Sequence, residues 1–460
     1  MKRNRLLIRL YDTVIKRRRT FRYLNELERT QWLTRPEIER LQFQALRRLL
    51  DHAYAHCPYY RRSWDAIGLT PKSLDGPAGL ARWPVIDRET IRMARTEMRA
   101  GAPRMRLLAK ATGGSSGVPL RFDLNLDSND RRLAASYRGY EWAGAAPGSK
   151  LLLLWGTLAA GVPLHRRWKD SLYNRLYRRE VLNCFEYDDD RAAAFAARLA
   201  RLRPDAIIAY TGPMYAWARA LDEQGIRPYS PGSIVVGAEK LHAFQRELIE
   251  RVFGAPVFET YGSREFMLIA AECDRHEGLH LTMEHLLVEV LDDEGRPTPD
   301  GVEGNVVITD LYNYGMPFIR YANGDRAIAG WAECGCGRGL PLLRKVVGRR
   351  LDILSTPDGR RIPGEFFPHL LKEFAAIKRY QVIQERPDEI ELRLVTTGEW
   401  SSDDQRRLHE QVRTVTGPEL TMNYRHVGEI ALSASGKLQV VVNRCAPRQA
   451  NECVEQPIAS

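Results

Sequence analysis

Hydrophobic and polar positions change period several times along this chain, and each change marks an expected element. Over 35–62, Leu, Ala, Arg and Glu recur at helical spacing until Cys57-Pro58-Tyr59-Tyr60, where proline breaks the pattern. Helices are expected to dominate to about residue 100. A short strand-like approach over 105–110 then enters Ala111-Thr112-Gly113-Gly114-Ser115-Ser116-Gly117-Val118-Pro119, too glycine-rich for either regular element and therefore a loop. Beyond it, apolar runs at 151–155, 206–210, 233–236 and 257–258 alternate with helical stretches over 191–202, 214–221 and 243–253. That alternation predicts an α/β layer on a largely parallel sheet. From about residue 279 the strands crowd together, as at 286–290 and 305–308 around Asp292-Asp293-Glu294-Gly295, which predicts antiparallel structure. Past Gly348 the pattern is that of a compact α+β unit of about a hundred residues, with helices over 366–374 and 402–415 and strands over 389–395 and near 438–442.

Composition narrows the class. At 460 residues, two or three domains are expected, and 44% hydrophobic with 28% charged residues is an ordinary globular balance. No run approaches the ~18 apolar residues of a membrane-spanning helix. Seven cysteines are an odd and sparse set, which argues against a disulfide scaffold and for a reducing, cytoplasmic setting. The formal charge of +11 is unevenly placed: in residues 1–20, eight Lys and Arg face Asp12 alone, a net +7. Arg9 and Asp12 interrupt the apolar residues there and no small-residue cleavage site follows, so a secretory signal is not expected. Leu6, Leu7, Leu10, Val14 and Ile15 fall near helical spacing. The segment reads as a basic helix that either packs on its own domain or makes peripheral contact with an anionic membrane.

Three segments carry candidate chemistry. The backbone N–H groups and hydroxyls of 112–117 suit a phosphate, although the loop lacks the Gly-Lys-Ser/Thr ending of a P-loop NTPase; a plain surface loop has the same composition. In Glu259-Thr260-Tyr261-Gly262-Ser263-Arg264-Glu265 the aromatic can stack on a base and Glu265 can hold Mg²⁺ bridging phosphate oxygens, where the bland alternative is a turn. Arg320-Tyr321-Ala322-Asn323-Gly324-Asp325 sets a carboxylate beside glycine, able to accept from ribose hydroxyls or simply to close a hairpin.

Taken in order, the 112–119 loop, Gly237-Ala238-Glu239, Tyr261-Gly262-Ser263-Arg264-Glu265, Arg320-Tyr321 with Gly324-Asp325, Gly348-Arg349, and Ser435-Gly436-Lys437 resemble the core motifs of the adenylate-forming superfamily. The nearest resemblance is to its shorter branch, which contains phenylacetate-CoA ligases and related enzymes of capsule-polysaccharide and F390-type pathways, and it runs from about 40 to 445. It implies an α/β fold: a large N-terminal domain of mixed sheets and helices with a β-rich subdomain, and a small mobile α+β C-terminal domain. The implied boundaries are a basic helix at 1–30, an ATP- and acyl-substrate-binding domain at 31–347 whose zinc-bearing β-rich part covers about 270–347, a hinge at 348–352, and a lid at 353–460.

The implied reaction has two steps. A carboxylate attacks the α-phosphate of ATP and releases pyrophosphate; an acceptor, coenzyme A in the leading reading, then takes the acyl group from AMP. The alternatives are transfer to an amine or hydroxyl of a sugar, amino acid or cofactor, and, from another class, a non-catalytic nucleotide-binding protein. No nucleic-acid module is recognised. By resemblance, Thr112, Gly113, Gly114, Ser115, Ser116 and Gly117 cradle the β- and γ-phosphates, and Gly237, Ala238, Glu239 and Tyr261 flank adenine, with Gly262 and Ser263 beside them. Glu265 holds Mg²⁺, Asp325 the ribose hydroxyls, Arg349 the ribose side, and Lys437 enters the site during adenylation. Two departures stand out: the loop lacks the lysine that follows Gly-x-Pro in larger members, and Leu351 occupies the usual place of the hinge carboxylate, with Asp352 as its substitute.

A second constellation is independent of the nucleotide. Cys273-Asp274-Arg275-His276 and Cys334-Gly335-Cys336 supply four soft ligands at the spacing of a closed, structural zinc site, with His280 as rival to His276. Cys57, Cys184, Cys445 and Cys453 lack partners at ligand spacing and read as ordinary thiols. Asp188-Asp189-Asp190 reads as an N-cap cluster.

Overall fold

A computed structural model of the chain describes residues 2–101, 105–112, 120–155, 164–184, 191–330, 333–349, 353–358, 361–363, 366–371, 374, 376–396, 400–431 and 439–445. Two compact units are present, the first running to Gly348 and the second starting at Arg349.

The first unit opens with α1 (Lys2–Leu10), a π-helical turn over Tyr11–Ile15, α2 (Thr20–Thr30), α3 (Arg35–His56), α4 (Pro58–Asp65) and α5 (Arg88–Met98). The start of α3 follows from local chemistry: Thr34 and Glu37 form a reciprocal capping box, and Pro36 lies in the first turn where its missing N–H costs nothing. The same helix stops at Cys57 because Pro58 cannot continue it and begins α4 instead. Strands β1 (Leu107–Ala111) and β2 (Arg121–Asn125) pair antiparallel, with Ala111 opposite Arg121. Helix α6 (Leu126–Trp142) follows directly.

The chain then alternates β3 (Leu151–Trp155), α7 (Leu164–Leu176), β4 (Arg179–Asn183), α8 (Ala192–Leu202), β5 (Ala206–Tyr210), α9 (Thr211–Glu223), β6 (Ser233–Gly237), α10 (Ala243–Phe253) and β7 (Val257–Ser263). The remaining strands are β8 (Met267–Glu272), β9 (Leu279–Leu281), β10 (Leu286–Leu291), β11 (Glu303–Asp310), β12 (Tyr321–Gly330) and β13 (Leu342–Arg349). All eleven from β3 to β13 join one sheet in the order β10-β11-β12-β13-β9-β8-β7-β6-β5-β3-β4. Pairing is parallel from β4 to β7 and becomes antiparallel between β7 and β8. The two layers expected from the sequence are therefore halves of one sheet, with β7 as the seam. Ligands of parallel sheets bind beyond the carboxyl ends of the strands. Here those ends carry Gly237 on β6 and Tyr261 to Ser263 on β7.

Helix α6 escapes hydrophobic-period reasoning because its inward positions are polar. Ser128, Asn129, Asp130, Arg132, Ser136 and Arg138 are all buried. It can approach β8 closely because a Cβ at Gly139 would collide with the Leu268 side chain.

The second unit contains the β14 (Ile353–Ser355) and β15 (Arg361–Pro363) hairpin, α11 (Phe366–Leu371), β16 (Ile377–Arg386), β17 (Glu389–Thr396), α12 (Ser402–Thr416), β18 (Thr421–His426) and β19 (Val441–Asn443). Its four-stranded sheet runs β18-β17-β16-β19. Leu408 and Val412 of α12 bury one helical face against Leu392 and Leu394 of β17 in a core of its own.

Candidate functional site

At the seam, β7 turns into β8 through a tight bulged hairpin. A Cβ at Gly262 would strike the Met267 carbonyl oxygen, and Met267 itself takes φ +68°, so glycine at 262 is a steric requirement of this turn. The turn leaves the Tyr261 ring buried with its hydroxyl donating to Asp325 Oδ2 at 2.7 Å. Asn323 Nδ2 donates both to that hydroxyl, at 2.8 Å, and to Asp325 Oδ2, at 2.7 Å. Two motifs separated by about sixty residues thus share one hydrogen-bonded group. Ser263 Oγ is buried without a partner among the described residues, and Glu265 is 7% exposed with the Tyr321 hydroxyl 3.5 Å from its Oε1.

A carboxylate so placed needs a fixed backbone, and α6 supplies it. Arg132 reaches across to donate from Nη1 to the Glu265 carbonyl oxygen and from Nη2 to Asp310 Oδ2, while its Nε donates to Ser128 Oγ at 3.2 Å. Ser128 Oγ also donates to Asp310 Oδ2, at 3.1 Å. Burial alone would raise the Asp310 pKa, yet the charges of Arg132 and then His285 hold it below the ordinary range. His285 sits 3.8 Å from Asp310 with both ring nitrogens unpartnered among the described residues, and burial pushes it down to about 4. Sequence reasoning missed Arg132, Asp310 and His285; the one available signal was the unusual density of polar residues in 127–132.

The loop neck is described and the loop is not. Thr112 Oγ1 accepts from the Leu120 N–H at 2.9 Å and from Arg88 Nη2 at 3.2 Å, closing the two ends of the hairpin. Gly113, Gly114, Ser115, Ser116 and Gly117 lie outside the described residues. Arg264 Nε donates to the Ala111 carbonyl at 3.4 Å, which ties the neck to the β7–β8 turn. Desolvation and the charges of Arg264 and Arg132 lower the pKa of Lys110 on the entering strand, so Arg264 of the β7–β8 motif is joined near the neck by two cations that no motif marked.

At the end of β6, a Cβ on Gly237 would collide with Thr260 Oγ1, and Ala238 adopts φ +70°. Glu239 turns inward: its Oε2 accepts from the Gly212 N–H at 2.7 Å in the first turn of α9. Arg320 is likewise structural, its guanidinium pairing with both oxygens of Glu289 at 3.1 Å. The backbone of Arg349 ends β13. Leu351, Asp352, Asp188-Asp189-Asp190, Cys453 and the Ser435-Gly436-Lys437 segment lie outside the described residues.

The cysteine constellation closes with a correction. Cys273, Cys334 and Cys336 are joined by His280, all four ligand atoms lying within 4.8 Å of one another. Cys273 Sγ is 3.7 Å from Cys334 Sγ, and Cys336 Sγ is 3.3 Å from His280 Nε2. His276 is not the fourth member. Its N–H bonds back to the Cys273 carbonyl at 3.1 Å, φ +53° turns it outward, and its Nδ1 ends 3.3 Å from Glu272 and 3.4 Å from Arg246. His280 lies on β9, paired with Leu342 just beyond the Cys334-Gly335-Cys336 turn. Its Nδ1 is 3.1 Å from the Leu340 carbonyl, which fixes the tautomer that leaves the Nε2 lone pair facing the thiols, and burial lowers its pKa to about 4.

Comparison with known proteins follows the same lines. Residues 354–444 match the family model described as the CapK C-terminal domain. A phenylacetate-coenzyme A ligase of Thermus thermophilus is 26% identical, covering 92% of this chain and 99% of that protein. Protein CapK of Staphylococcus aureus is 20% identical over 93% of this chain and 94% of its own length. Among solved structures, 2-hydroxyisobutyryl-CoA ligase in the postadenylation state with 2-HIB-AMP superposes with a TM-score of 0.72 at 20% identity, covering 90% of this chain and 91% of that one. That likeness is one of fold.

Proposed function

Because the chain belongs to the adenylate-forming superfamily, in its phenylacetate-CoA ligase-like branch, we propose that it is an AMP-forming acid ligase that activates a small carboxylic acid with ATP and passes the acyl group to coenzyme A. The observation that carries this reading is Glu265: a buried carboxylate whose described neighbour is one hydroxyl at 3.5 Å, two residues from a Ser263 hydroxyl unpartnered among the described residues and close to the neck of the glycine-rich loop. Such a group suits a divalent cation, since Mg²⁺ is bound by one or two carboxylates together with substrate phosphates. Bound there, Mg²⁺ would neutralise phosphate charge.

The chain's own groups divide the remaining work. Tyr261 offers a ring for adenine, locked by its bond to Asp325, and the Asp325 carboxylate is the acceptor for ribose hydroxyls. Lys110, Arg264 and the 112–117 loop offer cations and N–H donors to the phosphates. By the motif resemblance, the role of Arg349 is to contact the ribose, and that of Lys437 is to stabilise charge as the carboxylate oxygen bonds to the α-phosphorus and pyrophosphate leaves. In the second step the acceptor's sulfur bonds to the acyl carbon and AMP departs. Transfer to an amine or hydroxyl of a sugar, amino acid or cofactor is the second reading, since the residues named above serve the first step and are common to both acceptors.

The test is acid-dependent pyrophosphate release over aryl, fatty and amino acids, followed by product analysis with coenzyme A. One acid class should stimulate release and accumulate a thioester. Release without thioester transfers the case to the second acceptor class, and no acid-dependent release removes adenylation.

The Cys273, His280, Cys334 and Cys336 cluster fits a structural Zn²⁺: three soft sulfurs and a neutral imidazole, with Cys273, His280 and Cys334 buried and Cys336 half-buried. Protein purified without added zinc should contain about one equivalent and lose it, with stability, in Cys334→Ser. A stoichiometry near zero would sink this assignment.

A further inference from the structure

We propose that α1, its π-helical extension and α7 together form a surface that docks on an anionic lipid bilayer. The two elements are rooted in one hydrophobic cluster, in which Ile8 and Tyr177 are buried with α2 and α6 residues, and Tyr11 packs on Tyr173 and Tyr177 at ring separations of 6.4 and 6.5 Å. What faces away from that root is apolar. Six of the seven most exposed large hydrophobic side chains among the described residues are Leu6, Leu10, Val14, Ile15, Trp168 and Leu172, with exposures from 57% to 79%. Leu7 and Val14 lie at helical spacing on either side of Tyr11, whose ring packs on Tyr173 of α7, and on that helix Trp168 and Leu172 stand one turn apart.

Charge selects the occupant. Residues 2–19 and 164–176 contain twelve Lys and Arg against Asp12 and Asp170, a net +10 of the chain's +11. Asp12 is buried and paired with Arg18 at 3.4 Å, whereas Arg9, Arg17, Lys169 and Arg175 are exposed. A second copy would set +10 against +10, and a nucleic acid would have no use for exposed leucines. Anionic headgroups over acyl chains satisfy both features, and a tryptophan among exposed leucines suits the headgroup boundary. At nine and thirteen residues the helices are too short to span, so they lie on the surface. The docked segment includes α7, which charge counting over residues 1–20 does not reach.

Cosedimentation of the full chain with phosphatidylcholine vesicles, with and without phosphatidylglycerol, tests this. The wild type should pellet with the anionic vesicles, release in high salt and stay free of pure phosphatidylcholine. Leu6→Glu/Leu10→Glu and, separately, Trp168→Glu should each weaken binding at least tenfold while leaving circular dichroism and acid-dependent pyrophosphate release unchanged. Wild-type binding that is absent, or equal on the two vesicle types, overturns the proposal; so does Trp168→Glu binding like wild type, because α7 is then not part of the surface. A dimer in solution that Trp168→Glu dissolves would make the face a contact between copies and would overturn it as well.

Discussion

Lys437→Ala should lower acid-dependent pyrophosphate exchange by about 10²- to 10³-fold, the usual consequence of removing one group aimed at developing transition-state charge, while ATP affinity stays close to wild type. Negative charge accumulates as the carboxylate oxygen approaches the α-phosphate, and a fixed ammonium is worth more there than in the ground state. A group acting only in the first half-reaction leaves the second intact, so thioester formation from preformed acyl-AMP should survive. Exchange and nucleotide titration measured together decide it. An unchanged exchange rate removes the role given to Lys437, and a matching loss of ATP affinity makes the lysine a binding group instead.

The second large effect is expected at Arg132. In Arg132→Ala, Asp310 is left charged, fully buried and without its cation, and breaking a buried pair from one side costs about 3–5 kcal/mol. Chemical denaturation should show this as a lowered midpoint. Adding Asp310→Asn to that background should recover part of the loss, because the stranded charge disappears. The Glu265 carbonyl also loses its anchor, so the KM for Mg-ATP should rise in the protein that remains folded. A stability change below about 1 kcal/mol, the range of an exposed pair, would show that Arg132 and Asp310 are not energetically coupled.

Much of the catalytic reading was available from residue order. Tyr261-Gly262-Ser263-Arg264-Glu265 and Asn323-Gly324-Asp325 are local strings whose side chains lie close to where the backbone puts them, and the alternation of apolar runs reports directly on the β3 to β7 layer. Arg132 was illegible because it acts at a distance: its partner Asp310 lies 178 residues away, and a buried polar helix has no hydrophobic face to betray it. The fourth member of the cysteine cluster was underdetermined for a related reason. Cys273 to His276 has good spacing, but spacing does not say which way a turn faces, and the left-handed backbone at His276 turns its ring toward Glu272 and Arg246.

The sequence by itself therefore determined the parallel layer, the order of the motifs proposed to hold the nucleotide and the basic, apolar start of the chain, because each is a property of neighbouring residues. Tertiary structure decided that β7 is the seam of one sheet, that α6 holds Glu265, that His280 closes the cysteine cluster, and that α7 lies beside α1. Each of these brings together side chains from well-separated segments, and such contacts exist only once the core has fixed the relative position of the elements.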